Sequence, residues 1–280
     1  MQPWEIVSLE MDYPGEIVGK FFVDNFGKLV RRELQHKQKD YKCRSKKYIT
    51  RLIHSALGSN DKKKLVVYGS GYYHHYTYGL CRSIDRQHNN YGYIHFDHHT
   101  DYDCEREELK PSEIYCGTFV KDLLHDTNAS SIFLVGSNTV GLNLLPGIQH
   151  QYILESGLRT GSKFNKFRKR LAKMPEKVYL SFDLDVLAKS AIIASHDQGT
   201  LRPHELMRAL AIIKETKEII GADILGFSRC HSQQELNKMR QLLKKNNKNP
   251  QFPSTLFSGL YNASLGLDIY KKIAELIIDN

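Results

Sequence analysis

The sequence lacks a disulfide framework. Its five cysteines (Cys43, Cys81, Cys104, Cys116 and Cys230) are odd in number, scattered, and never form a Cys-x-x-Cys pair. That excludes a stapled scaffold and a cysteine-built zinc site, and leaves reduced thiols in a reducing compartment as the expectation. No apolar run is long enough to span a bilayer. The opening "MQPWEIVSLEMDYPGEIV" carries acids where a secretion signal would carry its apolar segment, so a cytoplasmic protein with no membrane partner is expected. Internal repeats, Pro/Gly/Ser linkers and low-complexity segments are missing too. One α/β domain over residues 1–280 is the reading.

Acidic residues are also in short supply, 31 against 40 Lys and Arg, for a formal charge of +9. The surplus is concentrated in "RRELQHKQKDYKCRSKKYITR", "SNDKKKL", "KFNKFRKRLAK" and "KMRQLLKKNNKN". Such runs attract polyanions, whether nucleic acid, a membrane surface or an acidic peptide, or they simply form a solvated face. None lies in a helix-turn-helix, RNA-recognition or zinc-finger pattern, which argues against nucleic acid.

What is present is one repeated theme. "KKLVVYGSG", "YGYIHFD", "SSIFLVGSN", "EKVYLSFDLD" and "GADILGFS" are short apolar runs, each ending in Gly, Ser or Asp. They read as buried strands of a parallel sheet. The intervening "TYGLCRSIDRQ", "GTFVKDLLHD", "NKFRKRLAK" and "PHELMRALAIIKETK", with "LGLDIYKKIAELIID" at the end, have helical spacing. Alternation of the two predicts an α/β fold, a mostly parallel central sheet with helices on both faces.

Ligands of such sheets bind beyond the carboxyl ends of the strands. Three of the strands end in metal-compatible groups: "YGSGYYHHYTYG", "HFDHHTDYD" and "SFDLDVL". A lone His pair or Asp-x-Asp is commonly a surface or capping feature, but three such endings on one sheet point to a shared site. Asp97-x-His99-x-Asp101 and Asp183-x-Asp185 each set alternate side chains on one side. Oxygen and imidazole donors without thiolate suit manganese, magnesium or iron. Two ions about 3.5–4 Å apart would acidify a water and support hydrolysis at carbon or phosphorus.

"IHFDHHTD" resembles the Asp-x-His-x-Asp motif of the ureohydrolases, the arginase and agmatinase superfamily. "YLSFDLDVL" resembles that family's Ser-x-Asp-x-Asp motif, without the usual Asp-Pro that follows. "VVYGSGYYHHYTYG" is similar to a diverged Gly-Gly-Asp-His strand end. The resemblance covers about residues 65 to 226, in the family's order. It implies a three-layer arginase-like fold and two Mn2+ ions. One ion would be held by His74 or His75 with Asp97, Asp101 and Asp183. The other would be held by His99, Asp97, Asp183 and Asp185, with Asp97 and Asp183 bridging. His74 keeps the family's spacing to Gly79 better than His75 does.

Two departures bear on the substrate. The family's mobile His-Gly aligns with "IYCGTF", which puts Cys116 in the histidine's place; the thiol is either an acid–base group or a small apolar filler. The glutamate that grips a guanidinium or amine aligns with Gly226, a change expected to make room. The loop "SHDQGTLRPHEL" offers His196 as proton shuttle and Asp197 as the missing negative charge, or else it merely caps a helix. Asp103 is a further candidate for substrate contact. The pattern resembles a divergent bacterial branch that includes peptide arginases, which convert arginine side chains of a ribosomally made peptide to ornithine and release urea. An acidic precursor peptide would suit the basic surface. The alternatives are a small-molecule amidinohydrolase, another C–N hydrolase, and a non-catalytic binding protein on the same fold.

Overall fold

The five apolar runs read from the sequence are strands, and three more join them. In the computed structural model the chain is described except for residues 1–2, 28–29, 35–43, 59, 103–109, 138–148, 155–157, 159–160, 193, 195–196, 228–253 and 280. In chain order the first elements are β1 (Trp4–Glu10), α1 (Tyr13–Phe26), β2 (Val30–Leu34), β3 (Arg44–Ser45), α2 (Lys46–Leu57) and β4 (Lys63–Val67). A 3-10 turn (Gly71–Tyr76) leads into α3 (Thr77–Ile84), then β5 (Tyr91–Phe96), β6 (Glu113–Ile114), α4 (Phe119–Asp126), β7 (Ala129–Gly136) and β8 (Gln149–Leu154). The chain continues with α5 (Gly161–Leu171), β9 (Lys177–Asp183), α6 (Pro203–Thr216), β10 (Glu218–Leu225) and α7 (Ser254–Ile278).

Among the described residues, eight strands form one sheet in the order β2-β1-β4-β10-β9-β5-β7-β8, with every neighbouring pair parallel. β3 and β6 form a small antiparallel pair outside it. Because side chains alternate along a strand, each central strand feeds two cores. Ile94 and Phe96 of β5 join α1, α5, α6 and α7 on one face. Tyr91 and Tyr93 of the same strand join α2, α3 and α4 on the other. The result is three layers, helix–sheet–helix. No helix among the described residues is long and apolar enough to cross a membrane.

Local chemistry fixes where the helices begin. Asp12 caps α1, its Oδ1 accepting from Gly15 N at 2.8 Å, with a proline in the first turn. Ser45 caps α2 through Tyr48 N. The strands missed by sequence reading, β1, β2 and β8, lie toward the two sides of the sheet and carry no chemical motif at their ends.

Candidate metal centre

β4, β9 and β5 end close together near the middle of the sheet, and each delivers part of one cluster. After β4, Ser70 accepts from Tyr72 N and opens the 3-10 turn that carries His74 inward. Gly71 is required there, since a Cβ would lie 2.6 Å from Asp183 Oδ2. β5 delivers Asp97 at its end, and β9 ends on Asp183, whose Oδ1 accepts from Asp185 N at 3.0 Å.

His74 Nδ1 lies 2.9 Å from Asp101 Oδ2, 3.0 Å from Asp97 Oδ2 and 3.7 Å from Asp183 Oδ2. His95 Nε2 is 3.3 Å from Asp97 Oδ2. His99 Nδ1 is 2.9 Å from Asp185 Oδ2 and 3.4 Å from Asp97 Oδ1. The donors form two groups, His74–His95–Asp97–Asp101 and Asp97–His99–Asp185, with Asp97 common to both. All four carboxylates and both His74 and His95 are buried, while His99 stands half open at the mouth. Asp101 adopts a left-handed backbone, φ 48°, a strained conformation, and its carboxylate faces His74 in the cluster.

The residues fit a pair of divalent cations on three grounds. Their donors are all oxygen and imidazole nitrogen. Four carboxylates balance the charge of two divalent ions. And His74 Nδ1 and His95 Nε2, though close to carboxylate oxygens, have no hydrogen bond of proper direction to them. Lone pairs that converge without bonding one another are the arrangement a shared cation needs.

Electrostatics say the same. Burial raises the Asp97 pKa, but contacts from His74, His95 and His99 outweigh it and hold the carboxyl well below its usual value. Burial and then the Asp97 charge push Asp101 up to about 7, and the same two causes push Asp183 to about 6. Burial, with Asp183 and Asp97 beside it, holds Asp185 well above the carboxylate range. His99 is raised to about 11 by Asp185 and then Asp97. A cation would displace these protons.

Behind His74 runs a buried relay. Tyr179 OH donates to Asp223 Oδ2 and Ser181 Oγ donates to Asp223 Oδ1, both at 2.7 Å. Ser181 Oγ is 2.8 Å from His74 Nε2. Since the Ser181 proton goes to Asp223, its oxygen accepts from His74 Nε2–H and turns Nδ1 toward the cluster. Burial lowers the His74 pKa, but Asp101 and Asp97 raise it further and keep Nδ1 protonated without metal; a cation would take its lone pair in the proton's place. Sequence reading missed both this relay and His95. The signal for His95 was the two-residue alternation taken one step back from Asp97. The signal for Asp223 was a carboxylate in the middle of an apolar strand.

The other residues near the motifs stand apart from the two donor groups. His75 is buried beside Tyr76, and burial pushes its pKa to about 3; among the described residues it does not join the carboxylate cluster. His98 gives its backbone N–H to Asp185 Oδ1 at 3.1 Å. Burial, then Asp101 and Asp183, push the Cys116 thiol up to about 12, so it stays protonated at neutral pH. Asp197 is exposed on a loop whose Gly199 N–H donates to the Asp185 carbonyl, and Gln198 braces that loop through Ala194 N and the Leu187 and Ile192 carbonyls. His196 and Asp103 lie outside the described residues.

Gly226 corrects an expectation. The position does not make room: with φ +99°, a Cβ there would collide with Asp183 Oδ1 and come within 2.6 Å of Leu184 N. The end of β10 presses directly on the end of β9, so only glycine fits.

The family model described as "Arginase family" matches residues 35–235. No curated protein matches the chain by sequence. Solved structures similar to it include arginase from Bacillus caldovelox, 14% identical, covering 100% of this chain and 99% of that one, TM-score 0.60. Agmatine ureohydrolase of Thermoplasma volcanium is 12% identical, with 98% and 88% covered and TM-score 0.63. Proclavaminate amidino hydrolase from Streptomyces clavuligerus is 14% identical, with 99% and 94% covered and TM-score 0.62. At these identities the likeness is one of fold.

Proposed function

Because this chain belongs to the arginase family, we propose that it is a dinuclear manganese hydrolase that converts arginine side chains of an acidic precursor peptide to ornithine, with release of urea. The observation that carries the reading is the pair of donor groups sharing Asp97. In this reading His74, His95, Asp97 and Asp101 would hold one ion and His99, Asp97 and Asp185 the other, with Asp183 beside His74. When bound, such a pair supplies Lewis acidity and an acidified water at neutral pH.

The chain's own groups then orient and move protons. The reaction joins a water oxygen to the guanidinium carbon, breaks the bond from that carbon to Nε, and leaves an amine that must gain a proton. With cations bound, Asp101 and Asp183 would be ionised, and a carboxylate of this cluster would be the group to take the proton lost by the water. The Cys116 thiol is too weak an acid to serve as base and acts as a filler beside Asp101. His196 is the candidate shuttle for the leaving amine, and Asp197 the candidate partner of the guanidinium.

The peptide reading rests on Gly226 and on charge. A buried guanidinium needs a carboxylate partner, and Gly226, the position just after β10 that would carry one, has no space for a side chain. Free arginine also brings an ammonium and a carboxylate that need partners of their own. An internal arginine brings neither, and the basic surface suits acidic neighbours in its chain. The cytoplasm is the compartment proposed, consistent with free thiols at Cys81 and Cys116.

The test is urea release from free arginine, agmatine and an arginine in an acidic peptide, with and without manganese. The peptide should give the highest kcat/KM, and chelation should abolish turnover. If a free small guanidine is the better substrate, the small-molecule amidinohydrolase replaces the peptide reading. No urea from any of the three leaves the non-catalytic binder.

A further inference from the structure

A second hollow lies at the other end of the sheet, under the carboxyl-terminal ends of α2 and α3. Its volume is about 370 Å3, within the size range of small-molecule sites. Val66 of β4, Leu80 of α3, Ile220 of β10 and the ring of Tyr179 of β9 line it. Two irregularities shape it. β10 bulges against β9 between Ile219 and Gly221, which turns Ile220 toward the α2–α3 side. Gly221 then leaves the flank of the Tyr179 ring open; a Cβ would stand 3.0 Å from its Cε2.

The rim is basic. Arg86 Nη1 lies 3.3 Å from His54 Nε2, and among the described residues neither Arg86 nor Lys62 forms an ion pair. Lys64 is tied to Glu5, and Asp61 is the rim's one acid. Arg86, Lys62 and Asp61 together leave one net positive charge at the mouth. A neighbouring groove of about 310 Å3 shares His54 and Arg86 and adds Lys47 and Arg51, with Arg82 paired to Asp85, so the approach is positive as well.

We propose that this hollow binds a small carboxylate with an apolar body, its body against Tyr179 and Ile220 and its head on Arg86 and Lys62. The apolar floor disfavours a bare inorganic ion, the uncompensated cations disfavour an ammonium, and a single net charge suits a monoanion. This site is separate from the metal centre and stands whether or not the chain acts on peptides.

The experiment uses octanoate as the probe, titrated into the full-length protein by calorimetry, with octylammonium as the control of opposite charge. Octanoate should bind saturably. Arg86→Glu, at an exposed position, should weaken it by about tenfold or more, the worth of one charged hydrogen bond. Ser83→Trp should abolish it by filling the hollow with an indole. Circular dichroism checks that both variants keep the fold. The proposal falls if octanoate shows no saturable binding, if both folded variants bind it as the parent does, or if octylammonium binds equally well.

Discussion

The two ends of the central strands make opposite environments: β4, β9 and β10 reach both, and β5 joins them at the carboxyl end with His95, Asp97 and Asp101. At the carboxyl ends, four buried carboxylates and two buried imidazoles converge, with Gly71 and Gly226 pressed so tightly that no Cβ would fit. At the amino ends, apolar side chains line a hollow and cations sit at its rim. Part of the sorting comes from the helices. α2 and α3 end near the hollow with His54 and Arg82 in their last turns, where the helix dipole favours positive charge. The difference teaches where a parallel sheet can hold charge. Chain turns beyond the strand ends let donors from distant segments meet, whereas the amino ends stay under helix termini that water and cations can reach. Tyr179 belongs to both ends, its ring in the hollow and its hydroxyl on Asp223.

The largest effect expected at either end is from Asp97→Ala. Asp97 is the donor common to both groups, so its loss should empty both metal positions and take hydrolysis to background; Asp185→Ala should mainly weaken the group at His99. Metal analysis of the two purified variants checks this. Two tightly held ions in Asp97→Ala would break the picture of a shared donor.

Next in size is the relay. Asp223→Asn should let Ser181 turn and free His74 to take the wrong tautomer, lowering metal affinity by about 10- to 100-fold, as loss of such supporting partners typically does. Chelator competition measures it. An unchanged affinity would show that packing alone sets the His74 ring.

A pH series sharpens the comparison further. Asp101 and Asp183 have folded-state values of about 7 and about 6 against an ordinary 3.8. For a raised carboxyl, the stabilising contribution is complete below 3.8 and is lost as pH climbs through 6 to 7. His99, held up to about 11, acts in the same direction above its ordinary value. Metal-free protein should therefore melt lower at pH 8 than at pH 5 from this cluster, and manganese should raise the melting temperature more at pH 8. Melting scans with chelator and with manganese test the sign; a larger manganese increment at pH 5 would contradict it.

The smallest effect is expected from Cys116→Ala. A thiol with its pKa near 12 cannot serve as a neutral-pH base, so turnover should stay within about tenfold of the parent. A fall of about 100- to 10,000-fold with both metals retained, the range of general acid–base groups, would give Cys116 a proton-transfer role instead.

The sequence by itself determined the alternation of strand and helix and the donors spaced two apart after β5 and β9, because side-chain period in a strand is a local property of the backbone. "YGYIHFD" and "EKVYLSFDLD" could be read as strands with chemistry at their ends without knowing what lay beside them. Three things were decided only by tertiary structure. Which of His74 and His75 meets the carboxylates depends on how one 3-10 turn sits over the end of β9. His95 and the Tyr179–Asp223–Ser181 relay depend on the strand order β10-β9-β5, which sets side by side residues far apart in the chain. The meaning of Gly226, a close approach of two strand ends and not an open space, depends on a distance across the sheet. Spacing along a chain carries no information about such distances; they arise only when buried strands choose their neighbours.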